Sequence, residues 1–149
     1  MRIAIATTIT AAAAAAVLLA ASVQAQPQPK PSLYPIKCDN AITQTDMTLC
    51  ANQDYKKSDA DLNDAYRTLI KRFKGDSTKT TQLQSAQKAW LFFRDAECAF
   101  SASGASGGSI YPMVLSQCLD TLTQARTKDL RGYLTCKEGD TGCPVPREE

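Results

Sequence analysis

Residues 87–98, QKAWLFFRDAEC, hold the only tryptophan of the chain and two of its four phenylalanines. Within this stretch Trp90, Arg94 and Cys98 recur four residues apart, which is typical of one face of an α-helix. Tryptophan and phenylalanine bury the largest apolar surfaces of all side chains. We therefore predict that this stretch forms the central helix and that Trp90 and Phe93 point inward.

Two further helices are predicted on either side of the central helix, which we place at residues 80–100. The first covers 45–74, with Thr43 or Thr45 as its N-cap and Gly75 after its end. The third begins at Pro112 and ends by Leu134. The inward stripes are Met47, Ala51, Tyr55, Ser58, Leu62, Tyr66, Leu69 and Phe73 in the first helix, and Leu115, Cys118, Leu119, Leu122, Arg126, Leu130 and Tyr133 in the third. Short links make neighbouring helices antiparallel, so we predict an all-α fold, a small up-down-up three-helix bundle.

The ends of the chain are predicted to lie outside this bundle. Residues 1–25 carry a basic start, a long apolar run and small residues at the cleavage position, which is typical of a secretory signal peptide cut after Ala25. The run is rich in alanine and threonine, so a retained membrane anchor is the less favoured interpretation. Residues 26–37 form a proline-rich leader and 135–149 an irregular tail. We expect an exported protein, periplasmic or secreted, that is not lipid-anchored and has no membrane span after cleavage.

The charge balance argues against several classes of partner. The chain has 17 basic and 15 acidic residues, and cleavage removes only Arg2 among them, which leaves 16 basic residues. A nearly neutral protein offers no electrostatic footprint for nucleic acid or an anionic membrane. About 124 residues remain after cleavage, enough for one domain with one modest core.

The six cysteines are expected to form disulfides, because the chain is exported and their number is even. The chain has no histidine and no CxxC pair, so we predict no metal site and no cofactor. The bundle topology places Cys136 and Cys143 together at one end and the other four cysteines at the opposite end. Those four allow three connectivities. We prefer pairs that close local loops: Cys38 with Cys50, Cys98 with Cys118, and, at the far end, Cys136 with Cys143.

The sequence predicts a binding protein and not an enzyme. Without histidine the commonest general base is missing, and no nucleophile elbow, phosphate loop or dinucleotide fingerprint is present. The acidic pairs Asp59/Asp61 and Asp95/Glu97 are each two residues apart, so on a helix their side chains diverge. An enzyme that acts on the cell wall stays the less favoured alternative.

Two arginines, Arg94 and Arg126, fall on predicted inward stripes. A buried guanidinium needs carboxylate or carbonyl partners, and Asp59, Asp95 and Glu97 are candidates on adjacent faces. We favour an ion pair that fixes helix register over a clamp for a ligand.

Two strings of the sequence resemble the LprI-type domain, a family named after a mycobacterial lipoprotein that inhibits lysozyme. They are TQTDMTLCA at residues 43–51 and AQKAWLFFRDAEC at residues 86–98. The resemblance covers about Cys38 to Tyr133, so we place the domain at 38–134. The motif residues that it marks are Met47, Tyr55, Asp59, Leu62, Asn63, Tyr66, Gln87, Trp90, Arg94, Asp95 and Arg126, which we interpret as structural.

The resemblance implies an exported, disulfide-bonded helical protein with a protein partner, for which lysozyme is the candidate. We expect inhibition of lysozyme-type muramidases by covering the substrate cleft; the alternative is a periplasmic structural or stress-related interaction module without lysozyme activity. Inhibition requires a protruding element that reaches catalytic carboxylates, and the small-residue loop 101–109 is the candidate; its other interpretation is a flexible connector that does not pack. The candidate partner-binding residues are Ser101, Ser103, Ser106, Gly107, Gly108 and Ser109.

Overall fold

Three long helices make up most of the structure, a computed structural model that describes residues 38–137 and 139–145. A 3-10 turn at Cys38–Asn40 precedes α1 (Gln44–Arg72), α2 (Ser77–Ser101) and α3 (Tyr111–Leu134), and a second 3-10 turn, Ser103–Ala105, lies between α2 and α3. No strand occurs in these residues, which confirms the all-α prediction. The predicted signal peptide and proline-rich leader lie outside the described residues.

Local sequence signals set the helix ends. The Thr43 hydroxyl accepts a hydrogen bond from the backbone N–H of Asp46 at 3.1 Å, as expected for an N-cap. Gly75 has φ of 90°, the left-handed conformation that glycine supplies after a helix. The carboxylate of Asp76 then caps α2, accepting from the N–H of Lys79 at 2.9 Å. Because this cap was not recognised in the sequence, α2 begins three residues earlier than predicted, at 77 rather than 80.

The apolar core lies mainly between α1 and α3. These two helices pack closely along their length, whereas α2 approaches α3 with fewer close backbone contacts. The buried core residues are Leu62, Ala65, Leu69, Phe73, Leu83 and Leu130, with Tyr66, Ile70, Trp90, Leu134 and Val145 packed against them.

The inward stripe of α3 differs from the prediction. Leu115, Leu119 and Leu122 are only half-buried, and Tyr133 is 37% exposed. The buried residues of α3 are instead Ser116, Thr123, Thr127 and Leu130. The α1 residues buried with them include the small side chains Ala51, Ser58 and Ala65. Because the interaxial distance depends on the side chains at the contact, small residues on both helices allow the close packing of α1 on α3.

The predicted inward position of Phe93 is wrong. Its side chain is 53% exposed, and Phe92 and Phe100 are 80% and 76% exposed. The buried face of α2 is formed by Leu83, Gln87, Arg94 and Cys98. Phe93 directly precedes Arg94 and therefore lies about 100° around the helix from it. Trp90 does point toward the core, although it is only half-buried.

Three disulfides staple the bundle: Cys38–Cys50, Cys98–Cys118 and Cys136–Cys143. They are the pairs that the local-loop argument preferred. Cys98–Cys118 joins the last turns of α2 to the first turns of α3, and Cys98 is fully buried. Within the described residues, none of the helices combines the length and apolar character needed to cross a membrane.

Replacing Cys98 and Cys118 with alanine is expected to lower the free energy of unfolding by about 3 kcal/mol, because the bridge restricts the unfolded chain. Urea denaturation of the oxidised proteins measures the change. The matched control is the alanine pair at Cys136 and Cys143, whose bridge spans a separation of 7 residues rather than 20. The shorter loop predicts a smaller loss, so equal losses would contradict the loop-length argument.

Candidate functional site

The segment that joins α2 to α3 is ordered by its own hydrogen bonds. We call residues 101–110 the tip loop. Backbone N–H groups of Ala105, Ser106 and Gly108 donate to the carbonyl oxygens of the residues three positions earlier, at 2.9, 3.0 and 3.0 Å. Ala102 is fully buried beside the Cys98–Cys118 bridge. The idea of a segment that does not pack is therefore wrong, because one small side chain anchors the loop.

The tip loop exposes small polar groups without charge. All six predicted partner-binding residues are exposed: Ser101, Ser103, Ser106, Gly107, Gly108 and Ser109. Gly107 has φ of 78°, so the turn requires glycine there. No charged residue occurs between Ala99 and Leu119. The hydroxyl groups are therefore presented on a neutral, hydrogen-bonded turn.

Two apolar side chains flank the tip loop. Phe100 precedes it with 76% of its surface exposed, and Ile110 forms its end with 43% exposed. Exposed large apolar groups can mark protein-interaction sites, where a few side chains that become buried on binding supply most of the affinity.

A second group of motif residues surrounds the buried Arg94, whose side chain is 7% exposed. Its Nη2 lies 2.8 Å from Asp95 Oδ1, and its Nη1 lies 3.5 Å from Asp59 Oδ1. The same Nη1 donates to the hydroxyl of the buried Thr123 at 3.4 Å. Arg94 thus joins all three helices, and the ion pair predicted from the sequence is present with two of the three proposed carboxylates.

Aromatic rings cover the guanidinium of Arg94. Its Cζ lies 5.3 Å from the centroid of Trp90 and 5.5 Å from that of Tyr55, within cation–π range. Burial raises the pKa of Tyr55 above its ordinary value, and the positive charge of Arg94 partly opposes that effect. The ring therefore stays neutral at physiological pH and serves as a packing surface.

The remaining motif residues, and Glu97, lie at several places in the bundle. Asn63 donates to Asp59 at 2.9 Å, which holds that carboxylate in position. Arg126 donates to the amide oxygen of Gln87 at 3.3 Å, so its partner is not one of the predicted carboxylates. Glu97 is exposed and forms no ion pair with a described residue. Leu62 and Tyr66 belong to the core, whereas Met47 lines a small cavity beside the Cys38–Cys50 bridge.

A groove of about 580 Å³ runs between α1 and α3, away from the motif residues. Its floor contains the buried hydroxyls of Ser58 and Thr127, and charged residues of both helices form its sides. Sequence reasoning missed this groove. The charges on each helix are typical of a solvated face, and the sequence does not show that two such faces lie side by side.

This chain is similar in sequence to two bacterial proteins and in fold to a third. R02472 of Rhizobium meliloti (strain 1021) is 34% identical over 112 residues, which cover 68% of this chain and 81% of the relative. YecT of Escherichia coli (strain K12) is 32% identical over 112 residues, which cover 63% of this chain and 68% of YecT. The crystal structure of a DUF1311 family protein from Pseudomonas putida KT2440 is 23% identical and covers 62% of this chain and 95% of its own, with a TM-score of 0.57. This last likeness shows the fold.

A family model described as lysozyme inhibitor LprI matches residues 37–130. The matched range contains both motif strings, the residues around Arg94 and the whole tip loop. It ends before the disulfide between Cys136 and Cys143. The chain therefore belongs to the LprI family.

Proposed function

We propose that this protein is exported and inhibits lysozyme-type muramidases by placing the tip loop in the substrate cleft. The observation that carries the proposal is the tip loop itself, a neutral, hydroxyl-rich turn that a disulfide and the buried Ala102 hold in place. Family membership supports inhibition as the kind of activity. In this proposal the protein acts as a binding partner and has no catalytic residue of its own.

The chemistry of the target explains why such a loop suits the task. A retaining glycosidase holds two carboxyl groups about 5–5.5 Å apart in its cleft. Serine hydroxyls and free backbone N–H groups donate hydrogen bonds to carboxylates. A loop with no acidic side chain brings no repulsion into the cleft. Because the loop is ordered before binding, little conformational entropy is lost when it enters.

The flanking apolar residues complete this proposed surface. Phe100 and Ile110 lie at the two ends of the tip loop and are exposed. We expect them to pack on the walls of the cleft while the serines reach its floor. In this arrangement affinity comes from the apolar anchors, and the polar groups determine where the loop sits.

The direct test is lysis of a bacterial cell-wall suspension by lysozyme, with the oxidised mature protein titrated into the reaction. We expect inhibition that saturates with concentration and is lost after the disulfides are reduced, because the Cys98–Cys118 bridge holds the tip loop. The reduced protein is alkylated so that its thiols cannot form disulfides again, and it serves as the control for nonspecific effects. No inhibition of lysozymes from several classes would refute the proposal.

A second candidate function rests on the aromatic face of α2. Phe92 and Phe93 are 80% and 53% exposed, away from the tip loop. Exposed aromatic pairs favour binding to another protein, as in an envelope interaction module. A pull-down from envelope extract with the wild type and with Phe92→Ser/Phe93→Ser tests this. If the wild type and the variant capture the same partners equally, the aromatic face of α2 is not the binding surface.

A further inference from the structure

We propose that the groove between α1 and α3 binds short peptides that carry both a free amino group and a free carboxyl group. This activity is separate from the inhibition proposed for the tip loop. Three features of the groove favour such a ligand: its size, the segregation of charge along it, and an acidic side chain with an unfulfilled hydrogen-bonding capacity.

One end of the groove is acidic. Asp54 of α1 and Asp120 of α3 both line it, and neither forms an ion pair with a described residue. Two carboxylates without an ion-pair partner among the described residues repel each other and attract a cation. An ammonium group is a compact cation with three donors, so it matches two carboxylates that face a common space.

Asp120 also has an oxygen without a partner. Its Oδ2 accepts a hydrogen bond from the side chain of Gln124 at 2.9 Å, whereas its Oδ1 is buried and has no hydrogen-bond partner. A buried unsatisfied polar group is destabilising, more so when it is charged. The terminal torsion of an aspartate side chain has a broad minimum, so a small rotation of the carboxylate can bring an oxygen toward a donor in the groove. A bound amino group would supply the missing donor.

The other end of the groove is basic. Lys57 Nζ and Arg131 Nη2 lie 3.3 and 3.5 Å from the two oxygens of Asp61. Lys128 lines the same part of the groove and forms no ion pair with a described residue. Three positive charges therefore face one negative charge, which leaves an excess that attracts a carboxylate.

The distance between the two ends sets the length of the ligand. Asp120 and Lys128 are eight positions apart on α3, which corresponds to about 12 Å along a helix. An extended peptide spans about 3.3–3.6 Å per residue, so three residues cover about 10 Å between their termini. The volume of about 580 Å³ falls within the range of small-molecule sites. The chemistry thus fits a free tripeptide.

Other ligand classes fit less well. The described residues that line the groove include no aromatic ring on which a sugar could stack. Among the described residues no group of three or more acidic or cysteine side chains is placed to hold a metal ion. A ligand with one charge only would satisfy one end of the groove and leave the other unpaired.

Isothermal titration calorimetry with trialanine tests the proposal on the mature, oxidised protein. We expect saturable binding of trialanine, and weakening of about tenfold or more when its amino end is acetylated or its carboxyl end amidated, because each change removes one charge-assisted contact. Absence of binding, or equal binding of the blocked peptides, would overturn the proposal.

Two isosteric or near-isosteric substitutions assign the ends of the ligand. Asp120→Asn should weaken the binding of trialanine by about tenfold and should have little further effect on the binding of the acetylated peptide. Lys128→Gln should likewise weaken the binding of trialanine by about tenfold and should have little further effect on the binding of the amidated peptide. The controls Asp129→Asn on α3 and Lys88→Gln on α2 remove the same charges from exposed positions that do not line the groove. Thermal unfolding verifies that each variant is folded. If the controls weaken binding as much as the groove variants do, general electrostatics explain the affinity and the proposed site is wrong.

Discussion

Replacing Ser103 and Ser106 together by aspartate is expected to abolish lysozyme inhibition while the bundle stays folded. Both side chains are exposed on the tip loop, so the substitution disturbs no packing. In the proposed complex it places two negative charges beside the catalytic carboxylates. Like charges brought together in an interface cost several kcal/mol, and about 3 kcal/mol corresponds to a loss of affinity of more than 100-fold. The concentration that gives half-inhibition in the lysis assay measures the effect.

The matched control adds the same charge elsewhere. Gln84 and Ser85 are exposed on α2, far along the helix from the tip loop. Their double replacement by aspartate changes the net charge equally and should shift the half-inhibition concentration by less than about threefold. Circular dichroism and urea denaturation establish that both proteins are folded. Unchanged inhibition by the Ser103→Asp/Ser106→Asp protein would remove the tip loop from the proposed interface, whatever the activity of the control.

Features encoded by a few neighbouring residues were predictable from the sequence. Thr43 and Gly75 mark the ends of α1 because a hydroxyl cap and a left-handed glycine act within one turn of helix. Helix order and loop length favoured the disulfide pairs that the structure has, although three connectivities stayed open for the four clustered cysteines. The start of α2 was missed because Asp76, which directly follows Gly75, was assigned to the link between the helices and not recognised as the N-cap of α2.

The orientation of the helices around their own axes was less predictable. The prediction for α3 assumed that leucines point inward, but the close approach to α1 selects the small side chains Ser116, Thr123 and Thr127. The hydroxyl of Thr127 donates to the backbone carbonyl of Thr123 at 2.8 Å, so its burial leaves no donor unsatisfied. Hydrophobicity alone placed Leu130 correctly but misplaced the centre of the buried face, because threonine is small and can satisfy its own polar group.

The candidate sites differ in how far they could be predicted. Arg94 and its partners Asp59 and Asp95 were accessible, because a charge on an inward stripe demands a counter-charge. The exposure of Phe93 was missed because its apolar character was given more weight than its position outside the stripe that contains Arg94. The groove depends on which charged faces of α1 and α3 become adjacent, and no residue spacing within one helix reports that.

Replacing Arg94 by alanine is expected to lower the free energy of unfolding by about 3 kcal/mol, because a large buried side chain is removed. The guanidinium is buried among Tyr55, Trp90 and Thr123, so its removal leaves a cavity at the point where the three helices meet. The ionic part of the loss is the smaller one, because the side chains of Asp59 and Asp95 are 39% and 63% exposed and water can solvate them. Urea denaturation measures the change.

Two comparisons separate packing from charge. Arg67→Ala makes the same substitution at an arginine whose ion pair with Asp64 is exposed on both sides. It should lower the free energy of unfolding by less than about 1 kcal/mol. Arg94→Lys keeps the charge but loses the planar group that stacks between the rings, so an intermediate loss is expected. If Arg94→Ala is no more destabilising than Arg67→Ala, Arg94 does not hold the helices together. Its buried position would then favour the ligand clamp that the sequence left as the alternative.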